Sequence, residues 1–248
     1  MRVVYILWLR QVKRYYRSKT RVIGSLGHSL LFLIAFGFGF GSIYQEAGGG
    51  NYIQFLAPGI IAMGVVFTAV FSGLEIIWDK QFGFLKETLV APVSRYKIMI
   101  GRTLGGATVA TIQGLIVLLV SLAVGFRLGR LYFLPITLLF IILIALLFTA
   151  LGTAIASTLR DMQGFQLIMN FVLMPIVFLS GAFFPLNNLP KVFNFIITIN
   201  PLSYGVDGIR GTIINSFYFG LGTDFFVLFI ITSFLLGLGS YLFSKIQL

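Results

Sequence analysis

The sequence predicts an all-α integral membrane protein, a single domain over residues 1–248 with six transmembrane helices. An amphipathic interfacial helix precedes the spans, a short cytoplasmic helix joins the second to the third, and short outer re-entrant helices precede the last. Three observations predict this. Apolar residues make up 58% of the chain and charged ones 10%, with a mean hydropathy of +1.00, where a soluble domain carries about a quarter charged residues. The apolar residues fall into long runs of membrane-crossing length, separated by short polar connections. Of the 18 Lys and Arg, fourteen collect on one set of connections and four (Arg127, Arg130, Lys191, Arg210) on the other. That asymmetry places both termini in the cytoplasm, with the chain in the cell's inner (plasma) membrane. The net charge of +11 does not indicate nucleic acid: the basic residues sit beside the spans, where anionic lipid explains them, and no soluble module remains.

In residues 2–21, Arg10, Lys13, Arg14, Arg17 and Arg21 recur at steps of three and four, which a helix gathers onto one stripe. Val4, Tyr5, Trp8, Val12 and Tyr15 fall opposite. The pattern fits a helix lying along the membrane, and equally a basic tail that only sets topology. The first span covers residues 22–43, and the glycines of GFGFG at its outer end permit close packing. The second covers 55–77, starts near Pro58, where a first turn tolerates proline, and closes on Glu75 and Asp79. Glu75 predicts an ion pair with the neighbouring basic belt, with direct ion handling as the alternative.

The connection 79–102 is the most polar internal segment. Within it, residues 82–90 are too short and too charged to cross a bilayer, yet Phe82, Leu85 and Leu89 recur at helical spacing. They predict an amphipathic helix offered to a soluble partner. Pro92 stops it, and Arg95, Lys97 and Arg102 mark where the third span leaves the cytoplasm. The third and fourth spans, 98–124 and 133–156, are joined by a tight external hairpin. After Arg160 and Asp161 the fifth span, 166–184, holds Asn170 and Pro175, which predict a bend near its middle. The region 187–223 follows, with two apolar pieces, 192–199 and 204–214, broken at Asn200-Pro201. Neither is long enough to cross, so they form a pair of helices dipping into the outer leaflet. The sixth span, 225–243, ends before Lys245.

Little in the chain can do chemistry. The absence of cysteine removes thiolate nucleophiles, thiolate metal sites and disulfides. His28 stands alone and reads as a packed or interface-facing histidine. The acids Glu46, Glu75, Asp79, Glu87, Asp161, Asp207 and Asp224 lie at span ends or in loops, which argues against a proton- or sodium-coupled carrier. No Gly-rich phosphate loop is present, so no catalytic residue, metal site or ATP site is assigned to this chain. Energy for any work must arrive through the docking helix.

The connection FGFLKETLVAPVSRYKIMIGRTLGG and the outer segments FLSGAFFPLNNLP and NPLSYGVDGIRG resemble the permease subunits of type-2 ABC exporters, the membrane partners in daunorubicin-type efflux, nodulation-factor and polysaccharide export. The resemblance implies a transport subunit that moves a hydrophobic or amphipathic molecule (drug, lipid or glycolipid) outward and is not itself an enzyme. ATP and Mg would be bound by two separate ABC ATPase subunits, and a second permease copy would complete a homodimer in the lipid bilayer. It makes 79–97 the coupling segment, with Phe82, Leu85, Lys86, Glu87, Leu89 and Arg95 docking on the ATPase and the N-terminal helix as a second contact. It lines the substrate path with the first, second and fifth spans, exposing some of Phe36, Phe40, Phe67, Phe71, Asn170, Phe171 and Phe178, which otherwise read as lipid-facing or core. Few polar groups in the spans would meet sugar hydroxyls, which favours acyl or polycyclic substrates. Export of polysaccharide or a lipid-linked sugar is the alternative, followed by a self-sufficient ion-coupled carrier, a membrane enzyme or a membrane anchor for a larger complex.

Overall fold

A computed structural model of the chain describes residues 2–48, 50–84, 93–159, 161–186 and 189–245, and among them every regular element is a helix. The expected docking residues Leu85, Lys86, Glu87 and Leu89, together with Arg160, lie outside the described residues.

The N-terminal helix α1 (Arg2–Arg17) breaks at Ser18 and continues as α2 (Lys19–Gly39), followed by the short α3 (Gly41–Glu46). Helix α4 (Tyr52–Ser72) is started by Asn51, whose side chain accepts from the Ile53 amide at 3.0 Å. The start comes earlier than the sequence predicted, so Pro58 sits inside the helix and not in its first turn. A break at Gly73 leads into α5 (Leu74–Gln81). The long α6 (Arg95–Val124) ends on Gly125, which at φ 116° adopts the left-handed conformation that glycine takes without penalty. A turn of 3₁₀ helix (Leu131–Phe133) opens α7 (Leu134–Thr158). Asp161 caps α8 (Met162–Phe178) by accepting from the Gly164 amide. Then come α9 (Lys191–Ile199), α10 (Pro201–Ile214) and α11 (Leu221–Ser244). Asn200 separates α9 from α10 and caps the latter through the Leu202 amide at 3.0 Å. The chain break at Asn200-Pro201 is thus a helix start, with proline in the first turn where its missing N–H costs nothing.

Among the described residues, five stretches are long and apolar enough to cross a membrane: residues 22–39, 52–81, 95–124, 131–158 and 221–244. Helix α8, placed where the fifth of six spans was expected, has 17 residues. It stops at Phe178, short of the predicted 184, so Pro175 lies in its last turn and not at a mid-span bend. The cause is tertiary. Gly181 turns the chain at φ 74°, and the carbonyls left without helical partners are taken by side chains from elsewhere: Arg210 Nη2 donates to Gly181 O at 2.9 Å and Tyr52 Oη to Phe183 O at 2.8 Å. Irregular backbone is tolerated at such depth only when its polar groups are satisfied by protein in this way.

Helix α4 is the hub, buried on nearly all sides and touching α2, α6, α7 and α10. Where it breaks at Gly73 it crosses α7 at Gly152. A Cβ on Gly73 would stand 2.5 Å from Gly152 O, and one on Gly152 would stand 2.4 Å from Val70 O. Two backbones meet there without side chains between them, the approach that small residues allow between membrane helices.

Candidate functional site

The end of the bundle that carries most of the Lys and Arg is organised by Asp79. Its carboxylate is buried, accepts from Arg102 Nη2, and is reached by Arg10 Nη2 at 3.2 Å. One turn earlier, Glu75 pairs with Arg14 at 3.7 Å, the ion pair that the sequence predicted for it. Helix α1 is therefore tied by charge to α5 and α6. It is also packed on α6: Trp8 Nε1 donates to Thr108 Oγ1 at 2.9 Å and Tyr15 Oη to Gln113 Oε1 at 2.5 Å. Gly101 and Gly105 leave the room for it, since a Cβ on either would meet Leu7, Val4 or Gln11 at 3.0 Å or less.

A string of cavities starts at this end and follows α2. The first, about 900 Å³, lies between α1, the start of α2 and the end of α5; Arg10, Lys13, Arg14, Arg17 and Lys19 supply its cations and Trp78, Phe82 and Phe84 its rings. It shares Arg14, Ser18 and Trp78 with a second cavity of about 300 Å³ that reaches Phe71, Leu74 and Glu75. Phe71 leads on to a third, about 370 Å³, lined by Ser25, His28, Ser29, Phe67 and Thr68. His28 has Phe32 at 4.9 Å and Phe67 at 5.2 Å between ring centroids. From Phe32 the rings of Phe36 and Phe40 stack at 5.5 Å intervals. They open into an outer cavity of about 410 Å³ with Tyr44, Tyr52, Phe178, Phe183 and Phe184. The cavities line up along α2 as an interrupted groove: a basic mouth, a part-polar waist that shares Phe71 with the cavity before it, and an aromatic chamber reached across the stacked rings of Phe32, Phe36 and Phe40.

Of the residues expected on a substrate path, Phe36, Phe40, Phe67, Phe71 and Phe178 line these cavities. Asn170 and Phe171 do not: both lie on the exposed side of α8, Phe171 with 83% of its surface free. Of the expected docking residues that are described, Phe82 ends α5 as an exposed ring 5.3 Å from Trp78. Arg95 Nη1 donates to the Ser244 carbonyl at 2.7 Å, at the end of α11. Sequence reasoning missed Lys80, whose ammonium donates to the carbonyls of Ala156, Ser157 and Leu159 at 2.7–3.0 Å and so caps α7. It also missed Trp78 and Lys19 at the mouth. Their signals were present: a tryptophan directly past a span end and a basic residue at the joint of two helices. Among the described residues, no group of His or acids is placed to hold a metal ion.

Residues 2–214 match the family described as "ABC-2 type transporter". Among curated proteins, the chain is 30% identical over 210 residues to nodulation protein J of Rhizobium leguminosarum bv. trifolii, covering 83% of this chain and 76% of the relative. It is 30% identical over 208 residues to the inner membrane transport permease YadH of Escherichia coli strain K12, with 82% and 80% covered. To the putative transport permease ycf38 of Cyanophora paradoxa it is 28% identical over 214 residues, with 84% and 72% covered.

Proposed function

The chain belongs to the ABC-2 type transporter family, and on that premise we propose that it is the membrane half of an ATP-driven exporter that moves a hydrophobic or amphipathic molecule outward. As a transport permease of this family it is a multi-pass membrane protein that partners an ABC ATPase. In the proposed assembly two permease copies form the core and two ATPase subunits beneath them bind ATP and Mg. Helix α8 counts as the sixth crossing: 17 residues at about 1.5 Å each reach about 25 Å, the short end of spanning length. Both termini and the connection 79–102 then face the cytoplasm, as the distribution of Lys and Arg favours.

The observation that carries the reading is the groove. An apolar run of rings, Phe67 and Phe71 through Phe36 and Phe40 to Phe178, joins a basic end to an aromatic chamber at the other. Such a lining suits acyl or polycyclic bulk better than a long polysaccharide. ATP-driven closure of the partner dimer would pull on the 82–95 segment, and α5 and α6, joined through Asp79 and Arg102, would carry that movement into the bundle as a rigid body. The test is ATPase stimulation in the co-expressed complex. Leu85→Asp and Glu87→Arg are each expected to abolish it while leaving the permease folded in the membrane. Full stimulation in both variants removes the docking assignment.

A further inference from the structure

The first cavity of the groove has a chemistry of its own. Two acids reach the mouth, and both are already engaged, Asp79 with Arg10 and Arg102 and Glu75 with Arg14. Lys13, Arg17 and Lys19 make no ion pair among the described residues and are exposed around the opening. Helix α2 starts at the same place. Ser18 makes no side-chain cap, and Lys19 and Thr20, in the first turn of a 21-residue helix at the positive end of its dipole, line the cavity. Excess cations around a helix start are what an anion requires. Much of the remaining wall is aromatic: the rings of Trp78 and Phe82 flank the cations, and the space continues past Leu74 and Phe71 to the cavity where Phe67 and His28 meet.

We infer that this mouth is the headgroup site for an anionic amphiphile: a phosphate-headed, single-chain lipid-like molecule sets its charge among Lys13, Arg14, Arg17 and Lys19 while its chain enters the groove at Phe71. The proposal rests on the permease reading and narrows it, since cationic amphiphiles are disfavoured at the same mouth. A free anion would gain the charges but not the rings. An amphiphile gains both, and its chain follows the direction in which the cavity continues among the described residues.

The chain carries two tryptophans, Trp8 and Trp78, so Trp8→Phe leaves a single reporter in the cavity wall. The full-length protein in neutral maltoside micelles is titrated with dodecyl phosphate, dodecyltrimethylammonium and inorganic phosphate while Trp78 emission is followed. A saturable change with dodecyl phosphate alone is expected, weakened by added salt. Arg17→Gln/Lys19→Gln is expected to lower the apparent affinity at least about tenfold. Both residues are exposed, and an unchanged elution volume confirms that the variant is folded. Lys191→Gln, at the opposite end, is expected to leave the titration as it is. Equal response to the cationic probe, the same response to inorganic phosphate alone, or full affinity in the double variant overturns the site. Displacement of dodecyl phosphate by the co-purifying ATPase also overturns it, because the cavity is then a protein-docking surface. ATPase coupling, measured separately, decides the transport reading: its loss with an intact Trp78 titration counts against transport, and the converse counts against the headgroup site.

Discussion

Asp79 shows what a single charge does at the end of a membrane helix. Its partner Arg102 is 3% exposed, and two of the three guanidinium nitrogens, Nε and Nη1, have no hydrogen-bond partner among the described residues. The pair is therefore a poor source of net stability, since desolvating both ions offsets most of their attraction. Removing one member is a different matter, because it leaves a buried charge unopposed. Asp79→Asn is expected to cost about 3–5 kcal/mol, read as a fall in the thermal unfolding midpoint of the detergent-solubilised protein. Asp79→Asn/Arg102→Met is expected to recover much of that loss. Arg14→Gln is the control: its pair with Glu75 is 3.7 Å long and its side chain 41% exposed, so the expected change is at most about 1 kcal/mol. A midpoint unmoved by Asp79→Asn excludes the ion pair as the tie between α5 and α6.

At the scale of elements, the crossing of α4 and α7 depends on two glycines facing each other. Gly73→Ala puts a methyl 2.5 Å from the Gly152 carbonyl oxygen, and Gly152→Ala puts one 2.4 Å from that of Val70. Backbone cannot yield as a side-chain tip does, so each is expected to destabilise by about 1–3 kcal/mol. The two sites share one contact, so the double variant is expected to lose less than the sum, measured by the same unfolding midpoints. A double variant that loses the full sum argues that the helices do not meet here. The long helices were legible in the sequence because hydropathy alone specifies them, and the break at Asn200-Pro201 because proline cannot continue a helix. The end of α8 was not legible. Its determinants are Tyr52 and Arg210, more than a hundred and about thirty residues away, which take up the carbonyls of Phe183 and Gly181. Local propensity could not supply those partners. The docking of α1 on α6 was half legible: the aromatic stripe was visible, but its receiving surface, Gly101 and Gly105, was submerged in a long apolar run. The groove was legible as a scatter of phenylalanines on α2 and α4. Its basic mouth was not, because it forms only when the break at Ser18 folds α1 back beside α5.

Across the whole molecule the two ends of the bundle differ in kind, and that difference predicts which way it sits. At one end Arg10, Lys13, Arg14, Arg17 and Lys19 surround the largest of the groove's cavities; at the other the chamber wall is rings and Pro185. A membrane potential and an anionic inner leaflet would both favour the first end in the cytoplasm, the orientation proposed for this chain. A chain without cysteine allows this to be tested with single introduced thiols at the start of α6 and past its far end, since at 30 residues the helix is about 45 Å long and exceeds the hydrocarbon thickness of about 30 Å. Tyr96 lies in the first turn of that helix and Tyr132 in the 3₁₀ turn beyond its far end; they are 60% and 72% exposed, so replacing either disturbs little packing. In intact cells a membrane-impermeant maleimide is expected to label Tyr132→Cys, and to label Tyr96→Cys only after permeabilisation. The reverse pattern would put the 82–95 segment outside, away from any source of ATP, and the docking mechanism would fail with it. The expected pattern instead places the basic mouth, the coupling segment and the partner ATPase in one compartment, the arrangement that outward movement along the groove requires.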